Sequence, residues 1–343
     1  MPAWSHYSRR RFLRESFAFS AAAMTAGGGL AGCGSGIVTN QYLGAHMLLL
    51  GDWGDTGGHA AQTTVAAAMQ GYLRTQNLRI SSLAMLGDNF YGSLSGGLQC
   101  PRWQTQFEQM YPPDIFPGPV YAIPGNHDYE VFPMAKFPVE LDYSKTPGTR
   151  WTMPGQFYRF EFPTINPLLT VIALDSNVFN PADPPHAPFY TMPDEQRSQQ
   201  IAWLEAELAK PRKTPYVAVM AHHPIYSDGP HGDHPVLIHD WDPLLRKYGV
   251  HLYIAGHDHD LQHLEFDGHP TSFFLSGGGG AGLYPVVTDP DKRGPMAQSV
   301  YGFSHLEVKK EWMTLRHVNS SGNIIHAFRK YPDGKVEILT PNN

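Results

Sequence analysis

Five short segments of the chain carry side chains that bind hard or borderline metal ions. The donors are carboxylate, amide and phenol oxygens and imidazole nitrogens, and none of the five segments offers a thiolate. Such a set suits iron, zinc or manganese and argues against copper(I) or a structural cysteine-zinc site. The chemistry that it indicates is therefore metal-dependent. The candidate residues are Asp52, Asp88 with Tyr91, Asn126 with His127, His222, and His257 with His259.

Each of these segments follows an apolar run that predicts a buried strand. In open α/β sheets, ligands bind just beyond the carboxyl ends of the strands. A single turn of this kind could be structural, because Asp is a common turn residue. Five such turns in series favour one shared site at one edge of the fold. The predicted strands are His46–Leu50, Ser82–Met85, Pro119–Pro124, Tyr216–Met220 and His251–Ala255.

The rest of the chain predicts an α/β domain with layered, mixed sheets flanked by helices. Helical spacing of apolar residues predicts a helix over Ala61–Thr75 and another that begins with Asp194 as its N-cap and ends before Pro211. The Pro-rich segment from the third strand to about residue 158 predicts surface loops with little regular structure. Further predicted strands are Leu169–Asp175, Ser272–Leu275 and antiparallel strands within 300–340.

The order and spacing of the metal-binding motifs resemble the calcineurin-like metallophosphoesterase signature. Most members of that superfamily carry His two residues after the first Asp, where this chain has Gly54. This chain instead has Tyr91 three residues after the second Asp, which is the mark of the purple acid phosphatases. The resemblance is to their small, tartrate-resistant type and runs from about residue 46 to about residue 280. The motifs are Gly51–Gly54, Leu86–Tyr91, Gly125–Asp128, Arg150-Trp151 with Pro154 and Phe157–Arg159, His222 before a Pro, and Gly256–Gln262.

This resemblance implies a sandwich of two mixed β-sheets and a centre of two metal ions bridged by Asp88. Three negative charges around the first ion favour a trivalent metal, whereas the neutral Asn and two His around the second favour a divalent one. The implied iron(III) ligands are Asp52, Asp88, Tyr91 and His259. The implied ligands of the second ion, which would be iron(II), zinc or manganese, are Asp88, Asn126, His222 and His257.

The implied activity is hydrolysis of phosphomonoesters by a metal-bound water or hydroxide, of the acid phosphatase type. His127, next to Asn126, would hydrogen-bond the phosphate or protonate the leaving oxygen. His231, nine residues after His222, matches a second such histidine of the family. A solvent-exposed loop histidine would have the same appearance in the sequence. Two other interpretations share the metal motifs, namely hydrolysis of phosphodiesters or nucleotides, and a non-catalytic metal-binding surface lipoprotein.

Residues around the motifs carry expectations of their own. Ala221 and His223 flank His222 where the family usually has Gly and a Tyr or similar residue. His223 would either tune the substrate preference or a pKa or point away from the metals, and we expect the latter because neighbouring strand residues face opposite sides. We expect Asp128 to support the turn or a ligand. The run Gly277–Gly280 lacks a following Lys and Ser/Thr, so it predicts a tight turn near the metals and not a nucleotide P-loop.

The first 33 residues resemble a targeting segment and not a part of the fold. Ser8–Arg14 resembles the bacterial twin-arginine export signal, and Leu30–Cys33 resembles a lipoprotein box. We therefore expect export by the twin-arginine route to the periplasm or cell surface, with Cys33 lipidated and anchored to a membrane. A plain secretory signal, cleaved in the Ala-rich run, is the alternative. The predicted division is 1–33 signal and lipobox, 34–45 linker, and 46–343 catalytic domain, with the metal motifs in 51–259.

Composition restricts the partners of such a chain. Its 343 residues are 42% hydrophobic and 16% charged, as in an ordinary globular protein. Loss of residues 1–32 removes four Arg and one Glu, which changes the net charge from −6 to −9. Such a charge gives no attraction to nucleic acid, so the expected partner is a small phosphate ester. With Cys33 lipidated, Cys100 would be the one remaining thiol, and no internal disulfide could form.

Overall fold

The computed structural model describes residues 44–55, 58–130, 136–180, 190–288 and 293–340. The predicted signal segment 1–33, with Cys33, and nearly all of the predicted linker lie outside these residues. Export and lipid anchoring therefore stay predictions. No helix in the described part of the chain is long and apolar enough to cross a membrane.

The first of two sheets has eight strands and is mixed. Its strands are β1 Ala45–Leu50, β2 Ser82–Met85, β3 Val120–Ala122, β4 Trp151–Thr152, β12 Gly302–Val308, β13 Met313–Asn319, β14 Ile324–Lys330 and β15 Val336–Leu339. They lie in the order β15-β14-β13-β12-β1-β2-β3-β4. Strands β1 to β4 are parallel, whereas β12 to β15 continue the sheet from the other side of β1 as antiparallel neighbours. The predicted antiparallel strands near the carboxyl terminus are thus confirmed.

The second sheet has seven strands and is also mixed. Its strands are β5 Tyr158–Phe162, β6 Leu169–Ala173, β7 Tyr216–Met220, β8 Leu252–Ala255, β9 Leu261–Leu264, β10 Ser272–Ser276 and β11 Met296–Gln298. They lie in the order β11-β9-β10-β8-β7-β6-β5. The central strands β6, β7, β8 and β10 are parallel, and the outer pairings are antiparallel.

The two sheets pack face to face with helices on their outer sides. Along β1, Met47 and Leu49 enter the core between the sheets, while Leu48 and Leu50 pack on the side of the first helix. Both faces of such a strand are buried, which is why it appears as a continuous apolar run. The predicted layered sandwich of mixed sheets flanked by helices is confirmed. The helices are α1 Ala60–Thr75, α2 Lys136–Tyr143, α3 Asp194–Leu208, α4 Pro235–Asp240 and α5 Asp242–Tyr248.

The Pro-rich segment before residue 158 is predicted to form surface loops with little regular structure, and this prediction is wrong in part. It contains α2 and the short strand β4. Tyr143 at the end of α2 stacks on Trp103 with 3.7 Å between the ring centroids, and the buried Trp151 of β4 packs edge-on against Trp103. Contacts between residues that are distant in sequence therefore order a segment whose local signals are those of a loop.

The second predicted helix exists, but Asp194 is not its N-cap. Pro193 occupies the cap position, and its side chain makes no capping hydrogen bond. Asp194 lies in the first turn with its side chain 99% exposed, 3.9 Å from Arg197. A carboxylate there interacts favourably with the positive end of the helix dipole. Acidic residues are therefore common in the first turn of a helix as well as at the N-cap.

Candidate metal centre

The carboxyl ends of β1, β2 and β3 in the first sheet lie beside those of β7 and β8 in the second. Main-chain hydrogen bonds join the turns that follow them. The N–H of Asp52 donates to the oxygen of Gly87 at 3.1 Å, and that of Gly51 donates across the sheets to the oxygen of Ser276 at 2.7 Å. The strand-end residues of both sheets thus converge on one edge of the sandwich, as the sequence predicted.

Three of the predicted ligands have a backbone that residues other than glycine rarely adopt. The φ angles are 58° at Asp52, 47° at Asp88 and 72° at His257. A left-handed conformation of this kind costs about 1–3 kcal/mol at each residue and persists where the surrounding structure imposes it. Such strain is concentrated at functional sites, and here it falls on the turns that direct the donors inward.

The first group of donors gathers around Asp52. One ligand atom from each of Asp52, Asp88 and His259 lies within 4.8 Å of the others. The hydroxyl of Tyr91 lies 3.2 Å from Oδ1 of Asp52 and 2.9 Å from Nε2 of His259. These are the four residues predicted to bind iron(III).

The second group shares Asp88 with the first. Ligand atoms of Asp88, His222 and His257 also lie within 4.8 Å of one another. Nε2 of His222 is 3.1 Å from Oδ1 of Asn126 and 3.3 Å from Nδ1 of His257. The structure therefore brings together all seven predicted metal ligands, with Asp88 between the two groups.

Hydrogen bonds to the protein orient these donors. Nδ1 of His222 lies 2.8 Å from the main-chain oxygen of Leu86, and Nδ1 of His259 lies 2.5 Å from that of Gly282. Each contact leaves Nε2 of the ring facing the other donors. Contacts of this kind fix the ring orientation and the tautomer of metal-binding histidines.

Burial and neighbouring charges set the protonation of the site. Burial opposes the ionisation of Asp88, but His222 and His127 outweigh it and lower the pKa of that carboxyl. Burial opposes the protonation of His222, but Asp88 outweighs it and raises the pKa of the imidazole to about 10. Burial, with Asp88 and Asp52, raises the pKa of Tyr91 well above its ordinary value. Among protein groups alone Tyr91 keeps its proton, so a phenolate there requires an adjacent cation.

The two histidines predicted to contact substrate lie beside these donors. Nδ1 of His127 is 2.6 Å from Oε1 of Glu130, and its ring lies 4.3 Å from that of Tyr91. Nδ1 of His231 is 2.6 Å from Oδ1 of Asp258, and its ring lies 4.2 Å from that of His257. The structure thus places His231 on a loop beside a predicted metal ligand, with its side chain 18% exposed.

His223 was expected to point away from the metals, and this expectation is wrong. Its ring centroid lies 4.3 Å from that of His257 and 5.0 Å from that of His222, and its Nδ1 lies 2.8 Å from Oγ of Ser176. Alternation of faces holds only within a strand, and β7 ends at Met220. His223 therefore follows the turn and not the pleat of the strand.

Asp128 has the supporting role that the sequence predicted. Its carboxylate accepts main-chain N–H groups from Gly125 at 2.8 Å, Asn89 at 2.9 Å and Phe90 at 3.1 Å. It thereby joins the turn after β3 to the turn that carries Asp88 and Tyr91. The predicted glycine turn also lies at the site, because a Cβ on Gly277 would come within 2.9 Å of Oδ2 of Asp52.

Three residues at the site carry no signal that singles them out in the sequence. Oε1 of Glu130 lies within hydrogen-bond distance of Nδ1 of His127, and Oγ of Ser176 within hydrogen-bond distance of Nδ1 of His223. Tyr284 stacks on His259, with 4.1 Å between the ring centroids. Each is an ordinary residue type outside the recognised motifs, so only the folded arrangement reveals its position.

Comparison with known proteins agrees with this geometry. Residues 45–261 match the family described as calcineurin-like phosphoesterase. The chain is 31% identical over 305 residues to "Tartrate-resistant acid phosphatase type 5" of Oryctolagus cuniculus, which covers 82% of this chain and 90% of that protein. It is 30% identical over 294 residues to "Purple acid phosphatase 7" of Arabidopsis thaliana, which covers 82% and 84%.

A solved structure shares the fold at lower sequence identity. "GAP50 the anchor in the inner membrane complex of Plasmodium" superposes with a TM-score of 0.68 at 21% identity and covers 87% of this chain and 90% of its own. At this identity the likeness concerns the fold alone. The matched family covers more than half of the chain and includes all the metal motifs. The chain therefore belongs to the calcineurin-like phosphoesterase family and, within it, to the purple acid phosphatases of the tartrate-resistant type.

Proposed function

We propose that this chain hydrolyses phosphomonoesters at a centre of two metal ions. The observation that carries the proposal is the place of Asp88 in both groups of donors, since one carboxylate can then lie between two cations. The similarity to proteins named acid phosphatases supports the reaction class.

The donor sets fit two different metal ions. The first group, with two carboxylates, a phenol and an imidazole, suits iron(III). The second, with a shared carboxylate, an amide and two imidazoles, suits iron(II), zinc or manganese. When bound, the pair supplies positive charge that neutralises the phosphate and a water molecule of lowered pKa. The proposed ligands of the first ion are Asp52, Asp88, Tyr91 and His259, and those of the second are Asp88, Asn126, His222 and His257.

The protein itself orients the substrate and handles the proton of the leaving group. His127 and His231 lie against Tyr91 and His257, one on each group of donors. Imidazole N–H groups at these positions donate hydrogen bonds to oxygens of the ester, which holds it for in-line attack, and His127 protonates the leaving oxygen. Because Nδ1 of each ring contacts a carboxylate, Nε2 is the atom that donates to the substrate.

A comparison of two model substrates tests the reaction class. We expect kcat/KM for p-nitrophenyl phosphate to exceed that for bis(p-nitrophenyl) phosphate by roughly tenfold or more, because a monoester offers one more ionised oxygen to the cations and imidazoles. The Asp88→Asn protein, purified in the same way, gives the background. A preference of the same size for the diester would replace the monoester proposal by the phosphodiesterase or nucleotide interpretation.

The visible spectrum tests the assignment of iron(III) to Tyr91. We expect the purified protein to show a broad charge-transfer band that is absent in Tyr91→Phe, because the band arises from a phenolate bound to iron(III). Tyr284→Phe is the matched control, since Tyr284 also packs on His259 but is not a proposed ligand. An active, iron-free and colourless protein would instead assign zinc or manganese to both positions.

A further inference from the structure

A chain of side-chain contacts leads outward from the metal centre through His127, Glu130 and Lys136. Nδ1 of His127 lies 2.6 Å from Oε1 of Glu130, and Oε2 of the same carboxylate lies 2.6 Å from Nζ of Lys136. Lys136 also donates to the main-chain oxygen of Phe90. The contacts thus begin beside the metal centre and return to the loop that carries Tyr91.

Burial restricts the movement of the Glu130 and Lys136 side chains. The side chain of Lys136 is 1% exposed and that of Glu130 is 17% exposed. A buried ammonium group is unfavourable unless an acceptor pairs with it, so Lys136 holds Oε2 of Glu130 in place. Since each carboxylate oxygen has its own partner, Glu130 cannot turn away from His127 without breaking the buried ion pair.

Contacts of both the ring and the main chain hold His127 in place. An ionised carboxylate only accepts hydrogen bonds, so Nδ1 carries the proton in the contact with Glu130. The main-chain N–H of His127 donates to Oδ1 of Asp88 at 2.8 Å, and the ring packs on Tyr91. Nε2 is consequently the ring nitrogen on the side away from Glu130.

We propose that Glu130, held by Lys136, is a positioning residue that directs Nε2 of His127 to the leaving oxygen of the ester. This inference rests on the proposed function. It adds to that function the residues that orient its proton donor.

The proton transfer balances without any rearrangement within the ring. As the bond between phosphorus and the leaving oxygen breaks, its electron pair stays on that oxygen, which takes the proton from Nε2 of His127. Before the transfer the ring carries a proton on each nitrogen and is a cation, and afterwards it is neutral with its remaining proton on Nδ1. Glu130 accepts that same Nδ1–H before and after the transfer, so its carboxylate neither gains nor loses a proton.

His231 is held in a similar way, but by a residue of the recognised motif. Its partner Asp258 belongs to Gly256–Gln262, whereas Glu130 lies beyond Gly125–Asp128, and Lys136 is the first residue of α2. The positioning of His127 is therefore a feature of this fold that the motifs do not specify.

The tautomer of His127 provides a test that is independent of turnover. In the zinc-loaded full-length chain labelled with nitrogen-15 histidine, we expect Nδ1 of His127 to be protonated, with the signal assigned by its loss in His127→Ala. In Glu130→Gln the single amide oxygen must accept the hydrogen bond from the buried Lys136, so the amide NH₂ faces His127. Nδ1 should then carry no proton, because it must accept the hydrogen bond from the amide. An unprotonated Nδ1 in the wild-type chain, or an Nδ1 that stays protonated in Glu130→Gln, would overturn the proposal.

Leaving-group dependence tests the consequence for catalysis. We expect Glu130→Ala to lower kcat by roughly 10- to 100-fold for alkyl phosphates, which need a proton on the leaving oxygen. For p-nitrophenyl phosphate, whose leaving group departs as an anion, the loss should be less than about threefold. KM and the metal content should stay unchanged. An equal loss for both substrates, or a loss of metal, would overturn the proposal.

Two further variants separate positioning from other effects. Glu205→Ala removes an exposed carboxylate of α3 that is paired with Lys247 of α5, and it should leave kcat unchanged. In a His127→Ala background, Glu130→Ala should lower kcat for alkyl phosphates no further, and a further decrease would overturn the proposal. If the wild-type chain hydrolysed no monoester, the proposed function would fail and this proposal with it. If the wild type is active but Glu130→Ala shows no dependence on the leaving group, only the positioning role fails.

Discussion

Replacing Asp88 by Asn is expected to lower phosphatase activity by roughly a thousandfold or more, which corresponds to about 4 kcal/mol of transition-state stabilisation. The reason is that Asp88 contributes to both groups of donors. A carboxylate can bridge two cations with its two oxygens and its negative charge, whereas a neutral amide offers one oxygen to one cation. Loss of Asp88 should therefore disrupt both metal positions, while loss of any other proposed ligand should disrupt one.

The substitution to Asn is chosen to leave the fold intact. Asn is among the residues that best tolerate a left-handed backbone, and Asp88 has a φ of 47°. The amide oxygen can also still accept the main-chain N–H of His127, which lies 2.8 Å from Oδ1 of Asp88. Inactivity should therefore not arise from unfolding, and the circular dichroism spectrum should match that of the wild type.

The measurements are kcat/KM on a monoester and the metal content of each protein. Asp142→Asn on α2 is the matched control, because it makes the same chemical change at a side chain that is 57% exposed and paired with Lys145. It should keep full activity and both ions. Activity of Asp88→Asn within tenfold of the wild type, at full metal content, would exclude Asp88 as the bridging ligand.

Much of the site could be predicted because its residues follow strands buried on both faces. Such strands show continuous apolar runs, and the polar residue that ends each run is easy to recognise. The predicted strand Ser82–Met85 has the observed bounds of β2, and Tyr216–Met220 those of β7. Since parallel strands of both sheets end at one edge, the order of the motifs was enough to indicate that their side chains meet.

The contacts that orient the site could not be predicted, because they join residues with no shared local pattern. The contact between His223 and Ser176 links the turn after β7 to the segment after β6. The contact of Glu130 with Lys136 joins the turn after β3 to α2, in a segment where proline favoured loops. In both cases tertiary packing decides the outcome, and a motif records only the residues that lie next to one another in sequence.

The glycine at position 54 shows how the backbone restricts the choice of ligand. A Cβ at Gly54 would lie 1.8 Å from the oxygen of Asn89, 2.6 Å from its carbonyl carbon and 2.8 Å from Cα of Phe90. All three are backbone atoms, so no rotation of a side chain relieves the overlap. The chain therefore has no room for a histidine at this position unless the loop moves, and that loop brings Tyr91 to the same group of donors.

The two backbone segments are also bonded to each other. The N–H of Tyr91 donates to the oxygen of Gly54 at 3.0 Å. The guanidinium of Arg102 donates to the oxygen of Gly54 at 2.8 Å and to that of Tyr91 at 2.7 Å. Any displacement of Asn89 or Phe90 by a side chain at position 54 is therefore transmitted to Tyr91.

We accordingly expect Gly54→Ala to lower the free energy of unfolding by about 3 kcal/mol, because it forces the backbone apart. It should also reduce binding of the ion proposed at Tyr91, seen as a weaker charge-transfer band at equal protein concentration. Gly71→Ala in α1 is the matched control. The nearest atom to its added Cβ lies 4.0 Å away, so it should be neutral or stabilising by about 0.5–1 kcal/mol.

Urea unfolding and metal analysis of the two glycine variants separate the two consequences. A loss of stability with an unchanged band would mean that the loop moves without carrying Tyr91. A stability within about 1 kcal/mol of the wild type would mean that the approach of Asn89 is relaxed in solution, since backbone overlap of this size is otherwise destabilising. In that case steric exclusion would no longer explain why Tyr91, and not a histidine after Asp52, completes the first group of donors.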